Sequence, residues 1–151
     1  ESSGVPLVLA GPGIPRGRVV TDPVSIGGLL PTLLELLGLT VPLPCDFRSF
    51  TDLLGPGRTS AEAVFSEIDY VLWDYRCGER YVMARHGPWK IMTYPNAPPE
   101  RSQTALFNLD LDPSERNNLA GAEEAAKPTE DLVRAIALRD ECIRQSPHRI
   151  P

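Results

Sequence analysis

Residues 106–119 read Leu-Phe-Asn-Leu-Asp-Leu-Asp-Pro-Ser-Glu-Arg-Asn-Asn-Leu, and this stretch decides the fold. A short alternating segment, the mark of a half-buried strand, runs straight into a turn signal. Asp112 can cap that turn, Pro113 suits the first helical position, and Glu115 two residues later can reach back to the cap. The expectation is a closing strand followed at once by a capped helical turn.

Upstream, residues 63–68, 81–85, 89–94 and 105–109 are short segments rich in aromatic and β-branched residues. His86-Gly87-Pro88 and Pro95-Asn96-Ala97-Pro98-Pro99 separate them, so the spacing predicts an antiparallel sheet of about four strands. His86-Gly87-Pro88 is short enough for a hairpin. Downstream, Leu132, Val133, Ile136 and Ile143 recur near one helical face, and Glu130 and Asp131 fall in a first turn. A helix over 129–145 would cover one face of the sheet, a two-layer α+β unit.

The first part of the chain has another character. Residues 5–10, Val-Pro-Leu-Val-Leu-Ala, form a continuous apolar run closed by Gly11-Pro12-Gly13, which suits a strand buried on both faces. Pro6 would sit at its start or on an open edge. Leu29, Leu30, Leu33, Leu34 and Leu37 follow helical spacing, with Ser25 placed to cap and Gly38 to terminate. Pro31 means that the first turn is irregular or that the regular helix begins near it. Residues 39–63 read as a connection with one helical turn near 50–54. The expected organisation is therefore 1–40 as the strand-plus-helix tail of a larger α/β domain, 41–63 as a connecting loop, and 64–151 as a small α+β subdomain. The opening Glu1-Ser2-Ser3-Gly4 reads as the interior of something longer.

Composition fits a globular domain: 151 residues, 42% apolar and 23% charged. The 16 prolines imply many loops. With a net charge of −5 and no Lys/Arg-rich run, neither nucleic acid nor an anionic membrane is an expected partner. No apolar run approaches the ~20 residues of a membrane span. Cys45, Cys77 and Cys142 are odd in number and form no CxxC pair, so they read as free thiols rather than zinc ligands.

Few residues invite chemistry. Gly11-Pro12-Gly13 fails as a dinucleotide loop, because the third glycine of that pattern would fall on Arg16. Asp110 and Asp112 are a close carboxylate pair, but a turn and a cap explain them. Glu67 and Asp69 read as the solvated side of a strand. His86 is either a base or ligand, or a hydrogen-bonded histidine at a hairpin tip. Trp73, Tyr75 and Trp89 could line a cleft, with Arg76, Arg80 and Arg85 available to an anion there; otherwise they pack. The candidate substrate-binding set is Trp73, Arg76, His86 and Trp89, without a catalytic or metal-binding candidate.

Several segments in order resemble the end of the sulfatase family. They are residues 5–9, Gly11-Pro12-Gly13, Asp22-Pro23-Val24-Ser25 and residues 30–36 followed by Gly38. Phe65-Ser66-Glu67, Arg85 and Trp89-Lys90-Ile91 then resemble strands of its small C-terminal subdomain. Residues 106–109, Asp112-Pro113, Glu115 and Asn118-Leu119-Ala120 resemble its closing strand and turn. The resemblance implies an alkaline phosphatase-like fold and a parent enzyme cleaving sulfate esters of small molecules or glycans. It also implies a formylglycine nucleophile, made from Cys or Ser in C/S-x-P-x-R, and Ca²⁺ held by Asp and Asn side chains. Neither Cys45-Asp46-Phe47-Arg48 nor Ser146-Pro147-His148-Arg149 fits that motif. The implied partner is a missing N-terminal catalytic region carrying those groups, with this chain inactive alone.

Two alternatives stand beside this reading: a phosphonate or phosphate-ester hydrolase on the same scaffold, and a non-catalytic binding or assembly module. An exposed strand at 5–10 could also pair with a second copy. One departure from the family is Gly28, where an Asp is usual. An Asp would complete a capping box, so glycine is expected to cost about 1 kcal/mol.

Overall fold

Trp89-Lys90-Ile91 lies inside a four-stranded antiparallel sheet, and its alternation explains the layers around it. The computed structural model describes residues 4–40, 47–60, 62–72, 75–95 and 103–145, with side chains for all of these but 69–72 and 75–79. Two units divide the chain, Glu1–Glu62 and Ala63–Pro151.

In the second unit the strands are β1 (Val64–Leu72), β2 (Tyr75–His86), β3 (Trp89–Thr93) and β4 (Ala105–Asn108), adjacent in chain order. Ala84 pairs with Phe65 and Ile91, and Ile91 pairs with Leu106, so one row crosses the whole sheet. Because side chains alternate across a strand, Val82, Ala84, Ile91 and Leu106 share one face. Helix α2 (Ala126–Gln145) covers it with Leu132 and Ile136, and Ala125 joins the same buried cluster. Burying a side chain such as Ile91 contributes about 2–3 kcal/mol.

Met83, Lys90 and Phe107 are buried residues at the alternate positions. Lys90 is paired there with Glu115, whose two carboxylate oxygens accept from its Nζ at 2.7 and 2.8 Å. Glu115 therefore does not reach back to a cap. It stands at φ +54°, outside the helical region, and no helix follows. Asp112 caps a turn: its backbone carbonyl accepts from Glu115 N–H at 3.1 Å, and its Oδ2 accepts from Arg116 and Asn117 N–H at 2.7 and 2.8 Å. Tertiary pairing with a buried lysine outweighs the local capping option.

Asn118 closes the outer edge of β4. Its Oδ1 accepts from Leu106 N–H at 3.0 Å and from Ala120 N–H at 2.9 Å, while Leu119 N–H donates to Leu106 O at 2.8 Å. An edge strand with unpaired backbone groups is a template for aggregation, and this loop satisfies it.

Helix α2 starts three residues earlier than the sequence implies. Pro128 falls in its first turn, where no intrahelical donor is needed. Val133 and Ile143, expected on the buried face, are largely exposed.

In the first unit, a 3₁₀ turn (Ile26–Gly28) leads into α1 (Leu29–Leu36), which places Pro31 in the first helical turn. Ser25 makes no side-chain cap. The helix ends in a Schellman arrangement: Gly38 at φ +69° donates to Glu35 O at 3.0 Å, and Leu39 donates to Leu34 O at 2.8 Å. A 3₁₀ turn at Thr51–Leu54 provides the single helical turn of the connection. Residues 5–10 form no strand: the stretch finds no partner among the described residues, and Val5 and Val8 are exposed at 67% and 87%. An apolar run alone does not make a strand without a ladder to join.

Gly28 also has a reason other than a lost cap. A Cβ there would lie 2.7 Å from Arg48 O and 3.1 Å from the Phe50 ring. Thr32 Oγ1 donates to Gly28 O at 2.6 Å and accepts from Phe50 N–H at 2.9 Å, fastening that segment against the helix start. Glu35 accepts from the Ser49 and Thr51 hydroxyls, which hold its carboxyl below the usual range.

Candidate functional site

Strand β2 carries two of the four candidate substrate-binding residues and separates them. Arg76 pairs with Val71 near one end, and His86 pairs with Trp89 at the other. Ten residues at ~3.3 Å each put them roughly 33 Å apart. Trp73 lies outside the described residues. Residues 75–80, outside the strands expected at 63–68 and 81–85, continue the strand, and Leu72 pairs with Tyr75 to make β1–β2 a long hairpin.

The two ends differ in kind. At the His86 end, Gly87 takes φ +54° in the turn, and Arg85 Nε donates to Gly87 O at 3.2 Å. Leu109 N–H donates to Pro88 O at 2.8 Å. His86 is exposed, while Trp89 is half-buried and packed against the core cluster. This end is built and fixed, and Trp89 is part of what fixes it.

Along the other half of the hairpin runs a group of charges that sequence reasoning treats separately. Arg80 forks onto Asp140 of α2, donating from Nη1 to Oδ2 at 2.7 Å and from Nη2 to Oδ1 at 2.6 Å. It also donates from Nη2 to Glu67 Oε2 at 3.1 Å, and its Nε lies 2.7 Å from Glu67 Oε1 in an ion contact outside hydrogen-bonding geometry. Arg139 donates to Glu67 Oε2 at 2.7 Å, and its guanidinium stands 5.3 Å from the centre of the Phe65 ring. Glu67 is thus an exposed strand residue, as expected, that also carries ion pairs, and Arg80 is occupied by carboxylates rather than open to an anion.

The charges hold one another ionised. Burial works to raise the Glu67 carboxyl, but hydrogen bonds from Arg139 and Arg80 outweigh it and keep it below the usual range. The Arg80 hydrogen bond lowers Asp140, and Asp140 first, then Glu67, raises Arg80. Adjacent opposite charges in Arg139-Asp140 are the one sequence signal of this group. Only the register of β1 on β2 shows what they meet.

Among the described residues no group of three or more His, Cys, Asp or Glu side chains could hold a metal ion. Cys142 is an exposed free thiol; Cys45 lies outside the described residues. Among those residues no helix is long and apolar enough to cross a membrane.

A meander of four strands covered by one C-terminal helix has counterparts in solved sulfatases. A solved 2-O glycosaminoglycan sulfatase superposes with a TM-score of 0.54 at 28% identity, over 77% of this chain and 24% of that one. The phosphonate monoester hydrolase of Agrobacterium radiobacter shares the fold, with a TM-score of 0.51 at 21% identity over 74% of this chain and 24% of its own. By sequence, mouse arylsulfatase K is 31% identical over 120 residues, which is 77% of this chain and 21% of that protein. Choline-sulfatase of Rhizobium meliloti (strain 1021) is 34% identical over 142 residues, 92% of this chain and 25% of that protein. No protein-family model matches the chain. The chain belongs to the sulfatase family and aligns with the C-terminal portion of its members. It spans about a fifth to a quarter of the length of these relatives.

Proposed function

We propose that the full-length protein is a sulfuric ester hydrolase acting on a sulfate ester of a small molecule or glycan, and that this chain supports its fold and substrate pocket. The observation that carries this reading is the run of likeness to arylsulfatase K and choline-sulfatase along 77% and 92% of the chain. Residues 1–40 would be the tail of the large catalytic domain, 41–63 a connection, and 64–151 its small subdomain. Formylglycine and Ca²⁺ belong to the reading as parts of the rest of the enzyme. No C/S-x-P-x-R motif occurs in the chain, and its described residues do not fit a metal, so no catalytic step is assigned to them.

What this chain would contribute is contact with the part of the ester away from the sulfur. Trp73, outside the described residues, and Arg76 near one end of β2, or His86 and Trp89 near the other, would form a pocket wall. Their separation means that one end does so for a given small substrate. Mutating His86 or Trp73 should then change substrate preference more than stability, and a single responsive end identifies the wall.

The deciding assay uses the full-length protein with Ca²⁺ on 4-nitrophenyl sulfate and 4-nitrophenyl phosphate. Sulfate turnover with weak phosphate turnover is expected. The reverse preference would move the protein to the phosphate- and phosphonate-ester branch, and inactivity on both would support a non-catalytic module. The 151-residue chain alone is expected to turn over neither. Residues 5–10 are expected to make the isolated chain self-associate, and sedimentation as a strict monomer at high concentration would remove that expectation.

A further inference from the structure

The four charges between α2 and the β1–β2 hairpin sit just before a break in the ladder. Asp69 faces Arg80, and the next rung pairs Val71 with Arg76, so Tyr70 alone faces Cys77-Gly78-Glu79. Extra residues on one strand bend it and redirect what lies beyond. Such a bend aims the outer rungs, Val71 with Arg76 and Leu72 with Tyr75, only if the segment before it is held in one orientation.

Among the described residues the apolar core stops short of this point. Val82, Ala84 and Ile91 lie on the other side of Arg80 from the bulge. The Arg80 guanidinium provides the hold. It is engaged by carboxylates from two directions, Asp140 on the helix and Glu67 on the neighbouring strand, and its side chain is only 16% exposed. Two parallel N–H···O bonds to Asp140 fix a planar fork in angle as well as distance. Partly exposed ion pairs add little stability, so directionality is the more telling property of this cluster.

We propose that Arg80 is a positioning residue for substrate: by clasping Asp140 and Glu67 it fixes the root of the hairpin and so aims the outer rungs as a pocket wall. The inference rests on the reading that the hairpin contributes to the pocket, and it names the residue that sets its direction. Arg139 supports the clasp by donating to the same Glu67 Oε2, with its Nη1 3.5 Å from Asp140 Oδ1. The ligand chemistry is the organic portion of a sulfate ester large enough to reach the outer rungs.

The test uses the full-length protein, 4-nitrophenyl sulfate as a small probe and a sulfated disaccharide as a large one. Arg80→Met and Asp140→Asn should each raise KM for the disaccharide about tenfold while kcat stays within about twofold, the signature of lost binding geometry. The kinetics of the small probe should hold. Arg80→Lys, which keeps charge but not the fork, should recover part of the loss. Hydrogen exchange at the amides of residues 71, 72, 75 and 76 should rise in Arg80→Met and Asp140→Asn, with no change at 82–84. Unaltered exchange in both variants would overturn the clasp. Faster exchange with KM unmoved for both probes would leave the clasp but overturn its role toward substrate, and with it the hairpin as a wall. Should the wild-type protein turn over neither sulfate ester, the sulfatase reading and the substrate role fall together, while the exchange data separately decide the clasp.

Discussion

The two units treat their apolar residues in opposite ways. In Ala63–Pro151, seven buried residues form one cluster between a sheet and a helix. In Glu1–Glu62, helix α1 buries Pro31 and Thr32 while Leu30 and Leu37 stay 61% and 71% exposed. Val5, Val8, Val19 and Ile26 are exposed as well. One unit has solved its own burial problem. The other leaves most of its large apolar side chains exposed, which supports the proposal that residues 1–40 are the tail of a larger domain.

The strongest way to break this contrast is a matched pair of truncations. Ile91→Ala removes a fully buried side chain from the centre of the sheet and should cost about 3–4 kcal/mol. Leu30→Ala, on the exposed face of α1, should fall within about 0.5 kcal/mol. Urea unfolding followed by amide hydrogen exchange in each unit would measure both, because the two tryptophans, Trp73 and Trp89, fall in the second unit alone. Equal effects would mean that α1 is as well packed as the sheet, and the contrast would disappear.

A second substitution asks whether the sheet unit depends on charge as well as on apolar burial. Glu115→Ala leaves the Lys90 ammonium, 7% exposed, without its partner, and should cost about 2–3 kcal/mol. Lys90→Met, which removes the buried charge and keeps the stem, should cost less than about 1.5 kcal/mol. Glu115→Gly should fall between, because glycine loses the carboxylate but relieves the φ +54° backbone. A larger loss from Lys90→Met than from Glu115→Ala would invert the argument.

This pair also marks what was legible in the sequence. The alternation in Trp89-Lys90-Ile91 and residues 105–109 is enough to place strands, because period two shows in the residues themselves. The partner of Lys90 is not, since Glu115 has a local role available in a capping box and only the folded sheet reveals a stronger one. The full length of hairpin β1–β2 does not show in the sequence for a related reason. Gly78 and the polar residues near it resemble a loop, and the bulge that absorbs them within a strand is a property of pairing. At the candidate site, the residue types of Arg76 and His86 could be read directly, but their position at opposite ends of one strand depends on register. Residues 5–10 show the converse: strand-like composition without a neighbouring strand.

Gly28 offers a smaller test within the first unit, where one packed contact does exist. Gly28→Ala improves helix propensity and unfolded-state entropy, which alone would stabilise by about 0.4–1 kcal/mol. Its Cβ, however, would press on Arg48 O at 2.7 Å, a backbone atom held in place through Thr32 and Phe50. The net expectation is a loss of about 1–2 kcal/mol. A stabilised variant would show that the 48–50 segment yields, making the first unit looser than its hydrogen bonds imply.

The smallest effect concerns the clasp. Glu67 and Asp140 are both held below the usual carboxyl range in the folded chain. Groups with depressed folded values stabilise the fold fully above their unfolded values, near pH 4, and lose that contribution as pH falls through the folded ones. The groups facing Asp140 are the guanidiniums of Arg80, Arg139 and Arg144. Stability of the sheet unit should therefore fall below about pH 4, and Asp140→Asn should flatten that part of the profile while costing about 1 kcal/mol at neutral pH. Urea midpoints at pH 7, 5, 4 and 3 would resolve the slope. An unchanged acid limb in Asp140→Asn would mean that Asp140 has the same affinity for protons folded and unfolded. The fork to Arg80 would then be too weak in solution to orient anything, and the contrast between a unit braced by charge and one with exposed apolar side chains would narrow to apolar burial alone.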